Sequence, residues 1–302
     1  MRKRRRRKKN ALSIVLLILF ILTLICFTFI SGYNYGFKKS VEIQLEKKKN
    51  EIVEVDSENE SENTNIQLSQ KYIDIVDTQL KKISGNVQYG IHNYGDNSLY
   101  ISGTRQSKSA SVIKLFIMEY AFDKITSGEI SLEMMIGGET VDNLINKMIT
   151  ISDNAATNKL IDYFGMENLN VFLLANGYAN TVIERKMLDA EAIKLGKDNY
   201  TSVEDVMIFL DKLYKSQNKK PYSDMLEIMK KQKVNTKIRK KFPNEILIAN
   251  KTGELSDVEN DVGIIFSEKC DFAIVVLSND VTNNEVAKES IATAAYELYN
   301  AF

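Results

Sequence analysis

The stretch SVIKLFIMEYAF, from Ser111 to Phe122, joins a serine, a lysine three residues later and an apolar run without glycine or proline. The run from Val112 onward predicts a buried helix. Residues three apart share one face of a helix, so we expect the hydroxyl of Ser111 and the amine of Lys114 to be neighbours. A serine hydroxyl becomes nucleophilic when a base takes its proton, and lysine is such a base where burial lowers its pKa.

An S-x-x-K pattern is a weak signal by itself, because an N-cap serine followed by a lysine on the helix face has the same spacing. A second copy, Ser216–Lys219, occurs in the polar stretch SQNK and is interpreted as a surface sequence. A catalytic role for Ser111 and Lys114 therefore needs support from other parts of the chain.

A second polar motif, Ser152-Asp153-Asn154, lies between two segments of helical spacing, Val141–Ile149 and Asn154–Phe164. The hydroxyl of Ser152 could relay a proton between Lys114 and a leaving group. The amide of Asn154 has an acceptor and two donors, which suit a lysine and a substrate amide. The alternative is a simple helix N-cap, where Ser, Asp and Asn are the favoured residues.

A third motif, Lys251-Thr252-Gly253, follows a β-rich segment, Ile246–Lys251, and is placed at the end of that predicted strand. A cation beside a hydroxyl suits the carboxylate of a substrate. Glycine leaves room for a substrate to lie along the strand edge as an extra strand. The alternative is an ordinary transition from a strand to a turn.

The order of predicted elements indicates an α+β fold, with an antiparallel sheet of about five strands flanked by helices and an all-helical block. Two strands near the start can join three near the end in one sheet, and the terminal helices would cover one of its faces. The elements outside the helical block are Ile66–Ile83 (helix), Val87–Ile91 and Leu99–Ser102 (strands joined by a turn at 94–97), Ile246–Lys251, Asp261–Ser267 and Phe272–Ser278 (strands), and Asn284–Tyr299 (helix).

The three motifs occur in the order that is typical of class A β-lactamases and penicillin-binding serine hydrolases, which the chain resembles over about Ile66–Phe302. The resemblance implies a β-lactamase/transpeptidase-like fold and an acyl-enzyme reaction without a cofactor. The implied site residues are Ser111 as acylated nucleophile, Lys114 as its proton acceptor, Ser152 as proton relay, Asn154, Lys251, Thr252 and Gly253 as substrate-binding residues, and the backbone N–H groups of Ser111 and Glu254 as oxyanion hole.

The chain departs from class A enzymes in one loop. Those enzymes carry a glutamate in the pattern R-x-E-x-x-L-N, and it activates the water that releases the acyl-enzyme. Here Met187 stands two residues after Arg185, and a thioether cannot act as a base. Asp189 and Glu191 are either alternative bases, which their spacing supports only weakly, or solvated charges of the loop. Asp198 is expected to pair with Arg185 and close the loop.

Three functions remain open from the sequence. The resemblance favours a serine hydrolase that acts on β-lactams or related D-Ala-D-Ala amides. The methionine at position 187 favours slow release of a β-lactam, as in a penicillin-binding D,D-peptidase acting on peptidoglycan stem peptides. The third hypothesis is a β-lactam receptor that is acylated without turnover.

The N-terminal region predicts a membrane anchor. Ala11–Ile30 is a charge-free run of 20 residues, enough for a helix to span a hydrocarbon core of about 30 Å. The basic block Arg2–Lys9 precedes it, and positive charge favours the cytoplasmic side. We therefore predict a cytoplasmic tail at 1–10, a transmembrane helix at 11–31, a flexible stalk at 32–65 and an extracytoplasmic hydrolase domain at 66–302. A cleaved signal peptide is the alternative.

Composition argues against nucleic-acid and metal sites. The chain has 40 basic and 40 acidic residues, but eight of the basic ones lie in Arg2–Lys9, so the remainder is acidic. An acidic body does not suit the phosphates of nucleic acid. Cys26 lies in the apolar run Ala11–Ile30, so if that run is in a membrane it cannot pair with Cys270. Two thiols and the single histidine, His92, are too few for a typical metal site, so neither a metal nor a disulfide is predicted.

Overall fold

The computed structural model describes residues 66–302, which fall within a unit that extends from Thr64 to the end of the chain. The strands of its central sheet are β1 Ile66–Gln67, β2 Asn86–Asn93, β3 Ser98–Ser102, β8 Ile248–Leu255, β9 Val258–Ile265 and β10 Phe272–Asn279. Their order is β1-β3-β2-β10-β9-β8, and every pair is antiparallel except β1 with β3. The predicted five strands are all present, and the two-residue β1 is an addition.

Helices cover both faces of this sheet. The helices α1 Gln70–Leu80 and α9 Asn284–Ala301 pack against each other and contribute to one apolar core. The helical block contributes to a second apolar core on the opposite face. Its members are α2 Lys114–Thr126, α3 Val141–Thr150, α4 Asn154–Phe164, α5 Met166–Ala175, α6 Ala190–Lys194, α7 Val203–Lys215 and α8 Tyr222–Lys230.

The side-chain alternation of a strand explains how one sheet serves two cores. In β10, Ile274 and Val276 belong to the core beneath α1 and α9, whereas Val275 and Leu277 belong to the core of the helical block. Both sets are fully buried. The uninterrupted apolar composition of β10 is thus the consequence of a sheet covered on both sides.

Short pairings that the sequence did not predict tie loops together. One small sheet pairs β4 Ser107–Lys108 with β7 Tyr200–Thr201, and another pairs β5 Met135–Ile136 with β6 Glu139–Thr140. The β4–β7 pairing brings the residues before Ser111 next to the end of the loop that contains Met187. Such two-residue strands have too few residues to show a hydrophobic period.

Two predicted boundaries were wrong. The segment predicted as one helix from Ile66 to Ile83 begins with β1, and its helix starts at Gln70. The Lys251–Gly253 motif lies within β8 rather than at its end, because pairing with β9 continues to Leu255. A turn at residues 256–257 then connects the two strands.

Among residues 66–302, no helix combines the length and the apolar character that crossing a membrane would require. The predicted tail at 1–10, membrane helix at 11–31 and stalk at 32–65 lie outside the described residues.

Candidate active site

The segment that carries Ser111 starts with a 3₁₀ turn, Ala110–Ile113, which leads directly into α2 at Lys114. A 3₁₀ helix has three residues per turn, so Ser111 and Lys114 lie on the same side of the segment. Ser111 is half-buried, whereas Lys114 is completely buried. The sequence therefore places a reachable hydroxyl beside a lysine that is removed from solvent.

Lys114 connects the first motif with the second. Its Nζ donates hydrogen bonds to the backbone oxygen of Ser152 (2.7 Å), the Oγ of Ser152 (3.2 Å) and the Oδ1 of Asn154 (2.8 Å). The expected bond to the Ser111 hydroxyl is not among the contacts of this amine within the described residues. Hydrogen bonds used in a reaction are often long in a free enzyme and shorten with substrate bound, so this geometry is compatible with proton transfer.

Burial changes the acidity of Lys114. Removal from water disfavours the ammonium form and lowers the pKa of Lys114 to about 7, and the nearby negative charge of Asp153 opposes the shift only in part. A substantial fraction of this amine is therefore neutral near pH 7. A neutral amine has the lone pair that a general base needs.

Ser152 lies between two lysines. The Nζ of Lys251 donates to the Oγ of Ser152 (2.9 Å) and to the backbone oxygen of Thr252 (2.8 Å). Lys251 is fully buried, and desolvation, followed by the charge of Lys114, holds its pKa well below the usual value. One hydroxyl thus joins the second and third motifs through direct contacts.

The Ser152–Asn154 turn also caps a helix. The Oδ1 of Asp153 accepts the backbone N–H of Ala156 (2.8 Å) at the start of α4, and Asn154 is the first residue of that helix. Ser152 has a positive φ of 57°, which is uncommon for a residue other than glycine. Capping and contact with two lysines are therefore both properties of this turn, and the two interpretations of the motif do not exclude each other.

Gly253 allows β8 to pass close to residues 108–111, which end at the predicted nucleophile Ser111 and are called the nucleophile segment below. A Cβ at this position would lie 2.9 Å from the backbone oxygen of Ser109 and 3.1 Å from the backbone nitrogen of Ser111. Any side chain here would push the strand away from Ser111. The backbone nitrogen of Ser111 thus adjoins the strand segment that continues into Glu254, the other predicted oxyanion donor.

Lys237 is a buried cation near this segment that the sequence analysis did not identify. It is fully buried, and its Nζ pairs with the carboxylates of Glu254 and Glu259 (2.8 Å to Glu259). Thr236 also donates to Glu254 (3.1 Å). Lys237 occurs in the basic run KKQKVNTKIRKK, residues 230–241, and such a run is typical of a solvated surface. Its burial follows from tertiary packing, which the run does not reveal.

The predicted closure of the loop after residue 184 is confirmed. Two nitrogens of Arg185 contact the Oδ1 of Asp198 at 2.8 and 2.7 Å, and both side chains are largely buried. The Oδ1 of Asn199 accepts the backbone N–H groups of Glu184 and Arg185 (2.9 and 3.1 Å). The two ends of the loop are therefore held together by a charge pair and an amide.

Met187 is held next to helix α4. The side chain of Asn158 brackets its backbone, accepting its N–H (2.8 Å) and donating to its oxygen (3.1 Å). Asn158 follows Asn154 by four residues on α4, so the two lie on one face of the helix. The methionine side chain is buried in the core of the helical block.

The two alternative bases make other contacts. Asp189 caps α6 by accepting the backbone N–H of Ala192 (3.0 Å). Glu191 pairs with Lys194 (2.7 Å), and the side chain of Glu191 is 81% exposed. Their contacts within the described residues do not include Ser111, Lys114 or Ser152.

His92 belongs to a separate polar cluster. Its ring nitrogens contact Asp211 (2.7 Å) and Asn97 (3.1 Å), and Tyr94 donates to the same Asp211 oxygen (3.0 Å). The histidine is a buried residue of β2 and contacts α7 through Asp211. It has no hydrogen bond to Ser111 in the described part of the chain.

Comparisons with known proteins give a family and several solved structures of similar fold. A model of the family described as "Beta-lactamase enzyme family" matches residues 68–302. A β-lactamase structure from Sphaerobacter thermophilus has 22% identity, covers 78% of this chain and 98% of its own, and gives a TM-score of 0.70. The structure of PBP-A has 22% identity, with 78% and 97% covered and a TM-score of 0.69.

A further similar structure is a point mutant of PBP-A as an acyl-enzyme complex with penicillin G, with 22% identity, 79% and 98% covered and a TM-score of 0.69. A comparison with curated protein sequences found no significant match. Because the family model spans more than half of the sequence, and the sheet and helices have the same arrangement as in these structures, the chain belongs to the β-lactamase enzyme family and has its serine hydrolase fold.

Proposed function

We propose that this protein is a serine hydrolase of the class A type, acylated at Ser111 by β-lactams or by related D-Ala-D-Ala amides. The observation that carries the proposal is the chain of contacts from Lys114 through the Ser152 hydroxyl to Lys251, built on an amine whose pKa is about 7. A structural lysine in a buried site is ordinarily paired with a carboxylate. The direct side-chain partners of Lys114 are instead a hydroxyl and an amide.

Acylation uses these groups in order. The Oγ of Ser111 attacks the amide carbonyl carbon while the neutral amine of Lys114 takes its proton, and the backbone N–H groups of Ser111 and Glu254 stabilise the oxyanion. The carbon–nitrogen bond then breaks as the Ser152 hydroxyl gives its proton to the leaving nitrogen. Lys114 returns a proton to Ser152, which leaves a serine ester and a neutral base.

The remaining residues bind substrate in this proposal. The Oδ1 of Asn154 is occupied by Lys114, so its amide nitrogen is left to donate to the acyl-chain carbonyl of a substrate. The hydroxyl of Thr252 and the ammonium form of Lys251 suit the carboxylate that β-lactams and D-Ala-D-Ala peptides share.

A penicillin-binding D,D-peptidase is the second candidate, and the loop favours it. Met187 stands where class A enzymes have their deacylating glutamate, and Asp189 and Glu191 are engaged elsewhere. Without a base to activate water, the serine ester formed with a β-lactam should persist. A peptide ester, whose leaving group departs and opens the site to water or to an acceptor amine, should be released sooner.

The anchor expected from Ala11–Ile30 would hold this domain outside the cytoplasmic membrane, where peptidoglycan and β-lactams are encountered. The proposed location is therefore the cell membrane, with a cytoplasmic N-terminus and the hydrolase domain on the extracytoplasmic side.

The test is to mix the full-length protein in detergent with a chromogenic cephalosporin and to follow colour and intact protein mass together. We expect one adduct on Ser111 in the wild type, none in Ser111→Ala, and an unchanged adduct in Ser216→Ala, the matched control from the second S-x-x-K.

Many turnovers would identify a β-lactamase. A stable adduct with release of D-alanine from a peptide would identify the peptidase, and a stable adduct without it a receptor. Absence of an adduct with every β-lactam and peptide would refute the proposal.

A further inference from the structure

The pairing between two central strands stops behind the nucleophile segment. β9 and β10 pair from Ile265 with Phe272 to Asp261 with Val276. Beyond this point, side chains replace backbone partners: the N–H of Ser278 donates to the Oδ1 of Asn260 (2.8 Å), and the N–H of Glu259 donates to the Oγ of Ser278 (2.9 Å). Polar side chains therefore fill the opening between the strands.

The amide of Asn260 also reaches the segment before Ser111. Its Nδ2 donates to the backbone oxygens of Lys108 (2.8 Å) and Ser109 (3.3 Å), and its side chain is fully buried. Both ends of the amide are thus used, the oxygen for the sheet and the nitrogen for the nucleophile segment. A buried amide with both groups satisfied fixes the relative position of the two backbones.

The segment held in this way is strained. Ala110, between Ser109 and Ser111, has a φ of 46°, a conformation that costs energy for a residue with a Cβ and persists only where surrounding contacts impose it. A second contact holds the same segment from the loop side, where the N–H of Ser109 donates to the oxygen of Asn199 (2.8 Å). The conformation of Ala110 sets the orientation of the peptide N–H of Ser111, which adjoins Gly253.

We propose that Asn260 is a positioning residue for the acylation of Ser111. By holding the carbonyls of Lys108 and Ser109, it keeps Ala110 in its strained conformation and aims the backbone N–H of Ser111 at the developing oxyanion. The proposal rests on the function proposed above, because the oxyanion belongs to that reaction. Asn260 acts through the backbone and touches neither the substrate nor the reacting atoms.

The experiment compares Asn260→Leu with the wild type in the full-length protein. Leucine has a similar size but has no donor for the two carbonyls. We expect the acylation rate constant at saturating β-lactam to fall about 10- to 100-fold, because a small displacement of a catalytic group costs about this much. The half-saturating β-lactam concentration should change less than threefold, since the substrate-binding side chains remain. The control is Asn170→Leu. It also removes an asparagine whose amide makes two hydrogen bonds to a backbone, those to the N–H and the oxygen of Ile183 (2.8 and 2.9 Å).

A second readout needs no substrate. Hydrogen exchange of the backbone amides at residues 107–112 should become faster in Asn260→Leu and stay unchanged in Asn170→Leu. If Asn260→Leu does not fold, Asn260→Ala is measured in both assays, since the smaller side chain avoids a clash. Wild-type acylation rates in a folded Asn260 variant would overturn the proposal, as would a loss equal to that of Asn170→Leu. If the wild type itself is not acylated, the proposed function fails, and exchange alone then decides whether Asn260 holds the segment.

Discussion

At the scale of single residues, the unusual feature is the burial of two lysines whose amines meet at one hydroxyl. Lys114 and Lys251 are both fully buried, and burial lowers the pKa of each amine. Within residues 66–302, neither amine forms an ion pair with a carboxylate. Burying an unpaired charge is costly, so such an arrangement stabilises the fold poorly. In the proposed function, this cost is offset because Lys114 is an amine that accepts a proton near neutral pH.

The pKa of Lys114 gives a pH prediction. In the proposed reaction, acylation needs the neutral amine, so the rate constant should rise as pH increases through about 7 and level off above that value, where the amine is no longer protonated. Lys114→Arg, which stays charged at every accessible pH, should lose about 10²- to 10⁴-fold, the usual contribution of a general base. The check is the second-order acylation rate constant measured by protein mass across neutral pH, from acidic to alkaline buffers, with Lys219→Arg as the control. A rate that does not vary with pH would contradict the role given to Lys114.

Met187 gives a second residue-scale prediction. The family pattern has its deacylating glutamate two residues after the arginine, so Met187→Glu supplies a carboxylate at the corresponding position. We expect the β-lactam acyl-enzyme to be hydrolysed about 10²-fold faster or more, with acylation little changed. The half-life of the adduct is followed by mass after removal of excess drug. Leu188→Glu is the matched control, because Leu188 is the next residue and is 77% exposed. An equally long-lived adduct in folded Met187→Glu would show that this position does not serve deacylation.

At the scale of elements, long periodic segments were predictable and short ones were not. The five strands and the long helices follow from apolar periods of two and 3.6 residues, and α4 was predicted with the bounds that the structure shows. The pairs β4–β7 and β5–β6 and the five-residue α6 were missed because they depend on tertiary contacts. The same limit applies to Lys237 and Asn260, whose burial comes from strands and loops that meet only in the fold.

The loop that contains Met187 gives an element-scale prediction. Arg185→Ala leaves the carboxylate of Asp198 buried without its partner, which typically costs about 3 kcal/mol or more. Lys186→Ala is the matched control. Lys186 is the next residue of this loop and makes an exposed ion pair with Asp162. Exposed pairs contribute less than about 1 kcal/mol to the free energy of unfolding. Urea unfolding of both variants measures the difference. Equal losses of unfolding free energy would mean that the buried pair does not hold the loop closed.

At the scale of the whole molecule, the site exists only because distant parts of the chain converge. Ser111, Ser152 and Lys251 come from a 3₁₀ turn, a turn between two helices and the edge strand of the sheet. Their spacing in sequence gives no distance, and their grouping was expected from the family resemblance rather than from the residues alone. The fold supplies the reason: the 3₁₀ turn before α2 and the helix α8 both pack against β8, and Ser152 reaches the same strand through its hydrogen bond with Lys251.

The N-terminal region gives the prediction for the whole chain. A charge-free run of 20 residues after eight basic ones should form a spanning helix that keeps the basic block in the cytoplasm. The full-length protein should therefore sediment with membranes, resist extraction by alkaline carbonate and keep the mass of the uncleaved chain, whereas a variant lacking residues 1–31 should be soluble. In intact cells with a permeabilised outer layer, protease added from outside should remove the hydrolase domain but spare an N-terminal tag. A soluble full-length product shortened after the apolar run would instead identify a cleaved signal peptide, because only cleavage separates the domain from a segment this hydrophobic.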